Sequence, residues 1–235
     1  MIQRISSNGV VFRTAALALT VVIGLSTTCV ASLQLTFDNA AVDGGTVSYD
    51  GVGGSLVGTG ILFDRVKGVD TPANNGTILN IVGGVLSFAT GPNTGEGPFN
   101  WSFAGGGSFT LIGSAYNGAA IPANLIATGT LLSGSFTNAL AVSAGGVGSA
   151  LVVTSFGIDQ KNVDLLAFYG VTDPNFTFAN TEISGVITAL ANGGFTATVS
   201  EADIVNSAVP EATTLLIWGG LAGMALLRSR QRVAC

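Results

Sequence analysis

Catalysis at neutral pH usually draws on an imidazole, a thiol or a pair of carboxylates, and this chain has no histidine at all. Ser-His-Asp triads, Cys-His pairs and His-based zinc sites are thereby excluded by inventory. The two cysteines, Cys29 and Cys235, stand near the ends of the chain, outside its expected fold. Carboxylates remain, because glycosidases can work with two acids a few ångströms apart. Close pairs in the sequence are Asp38 with Asp43, Asp64 with Asp70, Asp159 with Asp164, and Glu201 with Asp203. Each is expected at a strand end or turn, where Asp serves local hydrogen bonding, and that role is preferred to catalysis. Asp70 with Asn74 and Asn75 gathers oxygens in one loop, as a calcium site would, but the D-x-[DN]-x-[DN]-G pattern is missing. The expectation is a chain without catalytic residues, metal or cofactor.

Binding chemistry is also sparse. Tyr49, Trp101, Tyr116 and Tyr169 are the aromatic candidates for stacking on a sugar ring. Trp101 alternates with Phe99 and Phe103, which places all three on one strand face and favours the core. Tyr116, in the turn-like Ser114-Ala-Tyr-Asn-Gly118, is the best exposed candidate. The glycine clusters at 51–54 and 105–107 lack the Gly-Lys-Ser/Thr ending of a phosphate loop and read as turns. Between Ser32 and Val209 only Arg65, Lys67 and Lys161 are basic, against twelve acids, so nucleic acid is not expected as a partner. From Gly97 to Ile158 there is no charge of either sign.

The elements that must carry these residues read as strands. Glycine accounts for 34 of 235 residues and charged residues for 9%, against typical shares near 7% and about 25%. Thr77–Val82, Gly83-Gly84 and Val85–Thr90 read as a hairpin, and so do Glu182–Leu190, Asn192-Gly193-Gly194 and Phe195–Ser200. In the last run Phe195, Ala197 and Val199 share one face and Thr196, Thr198 and Ser200 the other. Further strands are expected at Leu33–Phe37, Gly60–Val66, Phe99–Phe103, Ser108–Ile112, Thr128–Leu132, Phe136–Val142, Ala150–Phe156 and Leu165–Tyr169. Short strands with turns between them predict an all-β fold over residues 32–207, an antiparallel β-sandwich or jelly-roll-like domain.

Both ends differ from this middle. Arg4 and Arg13, the apolar run Ala15–Leu25 and the small residues before Ser32 form a signal peptide, 1–31, with cleavage between Ala31 and Ser32. A lipoprotein form built on Cys29 is disfavoured by Thr27 and Thr28. At the other end, 208–235, Val209-Pro210-Glu211 precedes an uncharged apolar stretch, Thr213–Leu227, and then Arg228, Arg230 and Arg232. As a helix the stretch is roughly 24 Å long, and the arginines predict that it crosses the membrane with its C-terminus inside. This three-part tail resembles the PEP-CTERM sorting signal, with Ala212 where the motif has a second proline. The resemblance covers about the last 27 residues. It implies a Gram-negative-type envelope, recognition by an exosortase, and cutting near Pro210-Glu211.

The resemblance also implies association with extracellular polysaccharide and biofilm matrix. The leading expectation is a non-catalytic exported protein of the cell surface or matrix. Its partners would be an exosortase, the membrane through the transient C-terminal helix, and extracellular polysaccharide. Alternatives are a carbohydrate-binding module, marked by aromatic or Asn and Asp side chains converging on one exposed face, and a carboxylate-only glycan hydrolase, marked by two acids facing in a cleft.

Overall fold

In the computed structural model of the chain the described residues are 33–172 and 176–207. The segment expected as a signal peptide, with Ala31 and Ser32, and the segment expected as a sorting signal, with Val209, Pro210, Glu211, Arg228, Arg230 and Arg232, lie outside them. Among the described residues no helix is long and apolar enough to cross a membrane.

The domain is all-β and antiparallel. Its strands are β1 (Gln34–Asp38), β2 (Thr46–Tyr49), β3 (Ser55–Val69), β4 (Ile78–Gly97), β5 (Asn100–Tyr116), β6 (Leu125–Ser143), β7 (Ala150–Lys161), β8 (Phe178–Ala191) and β9 (Gly194–Ser207). From β3 to β9 each strand pairs with the next. The sheet then closes on itself through β1 and β2, which lie in tandem between β9 and β3. Asp38 of β1 pairs with Arg65 on one side and Asp203 on the other, while Thr46 of β2 pairs with Thr59 and Thr198. β1 and β2 are thus two pieces of one strand position, broken over residues 39–45. Neighbours in the ring are neighbours in sequence, so the pairing is a closed meander without the crossovers of a jelly roll among the described strands.

Alternation along the strands fills the inside. Phe37, Phe63, Leu86, Trp101, Phe109, Leu132, Ile183 and Phe195 are buried, and their polar neighbours point outward as the period of two requires. Facing walls touch directly: the Trp101 ring of β5 lies 4.6 Å from that of Phe195 on β9, and its indole N–H donates to the Gly193 carbonyl at 2.8 Å. The interior is therefore packed, with the aromatic groups supplying large contact area.

The expected hairpin at Asn192-Gly193 is present, with positive φ of 52° and 83° at its two turn residues, as a type I′ turn demands. Phe195, Ala197 and Val199 face the core as expected. The Gly83-Gly84 pair is different: both residues lie inside β4, where the register with β5 shifts between Val82 and Val85. It is a bulge rather than a turn. A Cβ on Gly84 would fall 2.1 Å from the Phe63 carbonyl oxygen, so glycine here serves the close approach of two strands. The glycines at 105–107 likewise make a bulge within β5, joining the two strands expected at 99–103 and 108–112 into one, and β6 joins 128–132 with 136–142. Phe99 precedes β5 and is exposed, apart from buried Trp101 and Phe103.

Leu165–Tyr169, expected as a strand, belongs to the helix α1 (Val163–Tyr169). Asn162 caps its start, accepting from the N–H groups of Asp164 and Leu165, and Gly170 ends it at φ 69°. Leu165 and Tyr169, four apart, are the buried side of the helix. The Tyr169 hydroxyl lies 3.1 Å from the Val66 carbonyl and 3.0 Å from that of Thr77. It fastens α1 to β3 and to the segment entering β4, where Gly68 leaves room for the ring.

Candidate functional site

The break between β1 and β2 removes a hydrogen-bonding neighbour from part of β3 and part of β9. Side chains take over. The Ala202 N–H donates to Asn39 Oδ1 at 2.8 Å, and Asp64 Oδ2 accepts from the Ala41 N–H at 2.7 Å. Around this repair opens a cleft of about 590 Å³ lined by Asp38, Asn39, Ala40, Asp43, Arg65, Ser200, Glu201 and Asp203.

Its charge is set by strand register. Arg65, Asp38, Asp203 and Glu182 are successive cross-strand partners on β3, β1, β9 and β8. Arg65 Nε donates to Asp38 Oδ1, leaving Asp203 between carboxylates. Burial pushes the Asp203 carboxyl above its ordinary value, and the charges of Asp38, Glu201 and Glu182 add to the rise while Arg65 opposes it. Arg65 itself is raised by its hydrogen bond to Asp38. The Asn39 amide nitrogen is buried and has no partner among the described residues.

The structure thus joins two of the acid pairs expected from sequence, Asp38 with Asp43 and Glu201 with Asp203, in one cleft. Asp64 faces away into the neighbouring hollow with Ala41 and Asn80. Glu201, Asp203, Asp64 and Asp159 lie within strands rather than at turns. Asp164 sits in the first turn of α1. In the loop of Asp70, Asn74 and Asn75, Asn75 Oδ1 accepts from the Asp70 N–H at 2.9 Å and Asn74 donates to the Phe168 carbonyl, so both amides close the loop on the protein itself. Among the described residues no group of three His, Cys, Asp or Glu is placed to hold a metal ion.

The aromatic candidates for a sugar platform belong mostly to the core. Tyr169 is fully buried and Trp101 nearly so. Tyr49 is also buried; its hydroxyl donates to Glu96 and accepts from the Gly53 N–H at 3.0 Å. Its phenol is raised, chiefly by burial and then by Glu96. Tyr116 ends β5 half-buried rather than standing in a turn.

Sequence reasoning did not single out Asn39, nor the pairing of Asp159 with Lys161. The latter two share one face of β7 with no exposed side-chain surface. Lys161 Nζ donates to Asp159 Oδ1 and to the Phe176 carbonyl at 2.8 Å, and lies 4.4 Å from the centre of the Phe176 ring. The i, i+2 spacing in an alternating strand was the available signal.

No protein-family model, no curated protein and no solved structure matches the chain.

Proposed function

We propose that the chain is a non-catalytic exported protein of the cell surface or extracellular matrix, sorted by an exosortase through its C-terminal segment. The observation that carries this reading is the order of parts along the chain. Arg4, Arg13 and the apolar run precede a β domain, and Val209-Pro210-Glu211, an apolar stretch and three arginines follow it. The domain suits a structural role. We read its closed sheet as a flattened barrel, two layers joined at both margins, with Trp101 meeting Phe195 across the middle. A carbohydrate-binding role has a specific observation in its favour as well, the cleft where Asp, Asn and Glu side chains converge.

Pro210 and Glu211 form the recognition site, in an extended strip that proline enforces at Val209. Arg228, Arg230 and Arg232 hold the apolar helix until processing. The test follows an epitope inserted in the exposed β6–β7 turn at Val147 through membrane and medium fractions of the native host. Replacing Pro210 and Glu211 by Ala should leave full-length protein in the membrane, and replacing the three arginines by Glu should release unprocessed protein. If both variants are shortened and released like the parent, the sorting assignment is wrong.

A further inference from the structure

The lining of the β1–β2 cleft asks for two opposite things at once. Asn39 is 5% exposed, and its amide oxygen is committed to the Ala202 N–H. That fixes the other end of the amide as a donor, and this Nδ2 has no acceptor among the described residues. A metal cation cannot serve an N–H donor. Around it, Asp43, Glu201 and Asp203 present carboxylates that accept hydrogen bonds and repel an anion.

A hydroxyl accepts and donates through one uncharged atom, and so meets donors and acceptors set close together. A single water has the same capacity, but its share of volume is about 30 Å³, far below the roughly 590 Å³ of the cleft. The cleft has room for a body that carries several hydroxyls. Arg65, whose side chain stays 40% exposed beside Asp38, adds further N–H groups at the rim.

We propose that this cleft binds a neutral polyhydroxy ligand, a hexose unit of a glycan chain, with Asn39 and Arg65 donating to its oxygens and Asp43, Glu201 and Asp203 accepting from its hydroxyls. The proposal rests on the glycan-binding reading of the domain and names its site and ligand class. Recognition is through hydroxyl edges, because Tyr49, Trp101 and Tyr169 are packed in the core and do not line the cleft. Affinity for a short oligomer is then modest, on the order of 1 mM, and many copies on one polymer supply the rest. Uronic acid chains are rejected by the like charge of the lining.

The experiment titrates the full-length chain, purified in mild detergent, with cellotetraose, maltotetraose, mannotetraose, tetragalacturonate and calcium chloride, each alone, by calorimetry. Asn39→Asp keeps an oxygen for Ala202 and removes the donor; Glu201→Gln alters an exposed acid without touching the core. At least one neutral tetrasaccharide should bind, at least tenfold more weakly to Asn39→Asp and several-fold more weakly to Glu201→Gln, with melting of both variants confirming that they are folded. Binding of none of the three neutral oligomers overturns the proposal. So does binding unchanged in both variants, binding of tetragalacturonate in preference, or saturable binding of calcium that Asn39→Asp and Glu201→Gln alter. Since sorting is read in cells and binding on the purified chain, failure of one leaves the other standing.

Discussion

Lys161 places an ammonium where the domain is otherwise apolar, between the Asp159 carboxylate, the Phe176 carbonyl and the Phe176 ring. Burial pushes Lys161 down and Asp159 up, and their mutual attraction opposes both shifts. Desolvation is the larger influence on each, so the pair is not a net source of stability. Removing one partner uncovers the other's cost. Lys161→Met should destabilise by about 3–5 kcal/mol, because Asp159 is left buried and unpaired. Asp159→Leu with Lys161→Met should cost less than Lys161→Met alone, the remaining penalty being the Phe176 carbonyl without its donor, about 1–3 kcal/mol. Urea unfolding of the single and double variants measures both; a double variant less stable than the single one would show that Asp159 is not a cost once Lys161 is gone.

Among the elements, β4 tests what a glycine pair means. Gly83 has φ 64° and open space where a Cβ would lie, whereas Gly84 has a Cβ direction blocked by the Phe63 carbonyl. Gly83→Ala should cost about 1–2 kcal/mol for the left-handed backbone, and Gly84→Ala more, since backbone of β3 must move. Thermal melts that rank the two in the opposite order would contradict the bulge. The same dipeptide signal that reads correctly as a turn at Asn192-Gly193 misreads here, because a bulge and a turn both need positive φ and only the partner strand decides between them. Alternation revealed the inward face of β9 and, on β5, that of Trp101 and Phe103 though not the exposure of Phe99 before the strand, since it depends on the strand alone. It did not reveal α1, where two turns of helix with Leu165 and Tyr169 inward resemble a short apolar strand. The acids of the cleft were visible as residues but not as a site. Asn39 and Ala202 are 163 residues apart, and nothing local says that β9 returns to β1 or that the strand between them is interrupted.

At the scale of the whole molecule, charge and burial are sorted around the barrel. Apart from the Asp159–Lys161 pair the interior is apolar and filled, and charged residues such as Lys67, Glu182 and Glu201 are exposed. No charged residue lies between Gly97 and Ile158, which covers β5, β6 and most of β7. The outer acids are therefore concentrated on the opposite side, and the row Arg65, Asp38, Asp203, Glu182 has one cation for three carboxylates. This makes a signed pH dependence. A carboxyl raised in the folded state contributes stability fully below its ordinary value of 3.8 and loses it as pH rises through the folded value. At pH 7 Asp203 is thus a cost. Asp203→Asn should raise the melting temperature at pH 7, and the difference from the parent should shrink to nothing as pH falls below about 4. High salt separates the causes: in 1 M NaCl the repulsion from Asp38, Glu201 and Glu182 is screened, but burial, the largest single cause, is not. The gain at pH 7 should accordingly diminish in salt and persist. Calorimetric melts of parent and variant from pH 3 to 8, at low and high salt, decide the matter. A variant less stable than its parent at pH 7 would mean that the Asp203 carboxylate is held by favourable contacts, and that the break in the strand exists to house a charge rather than to open a site.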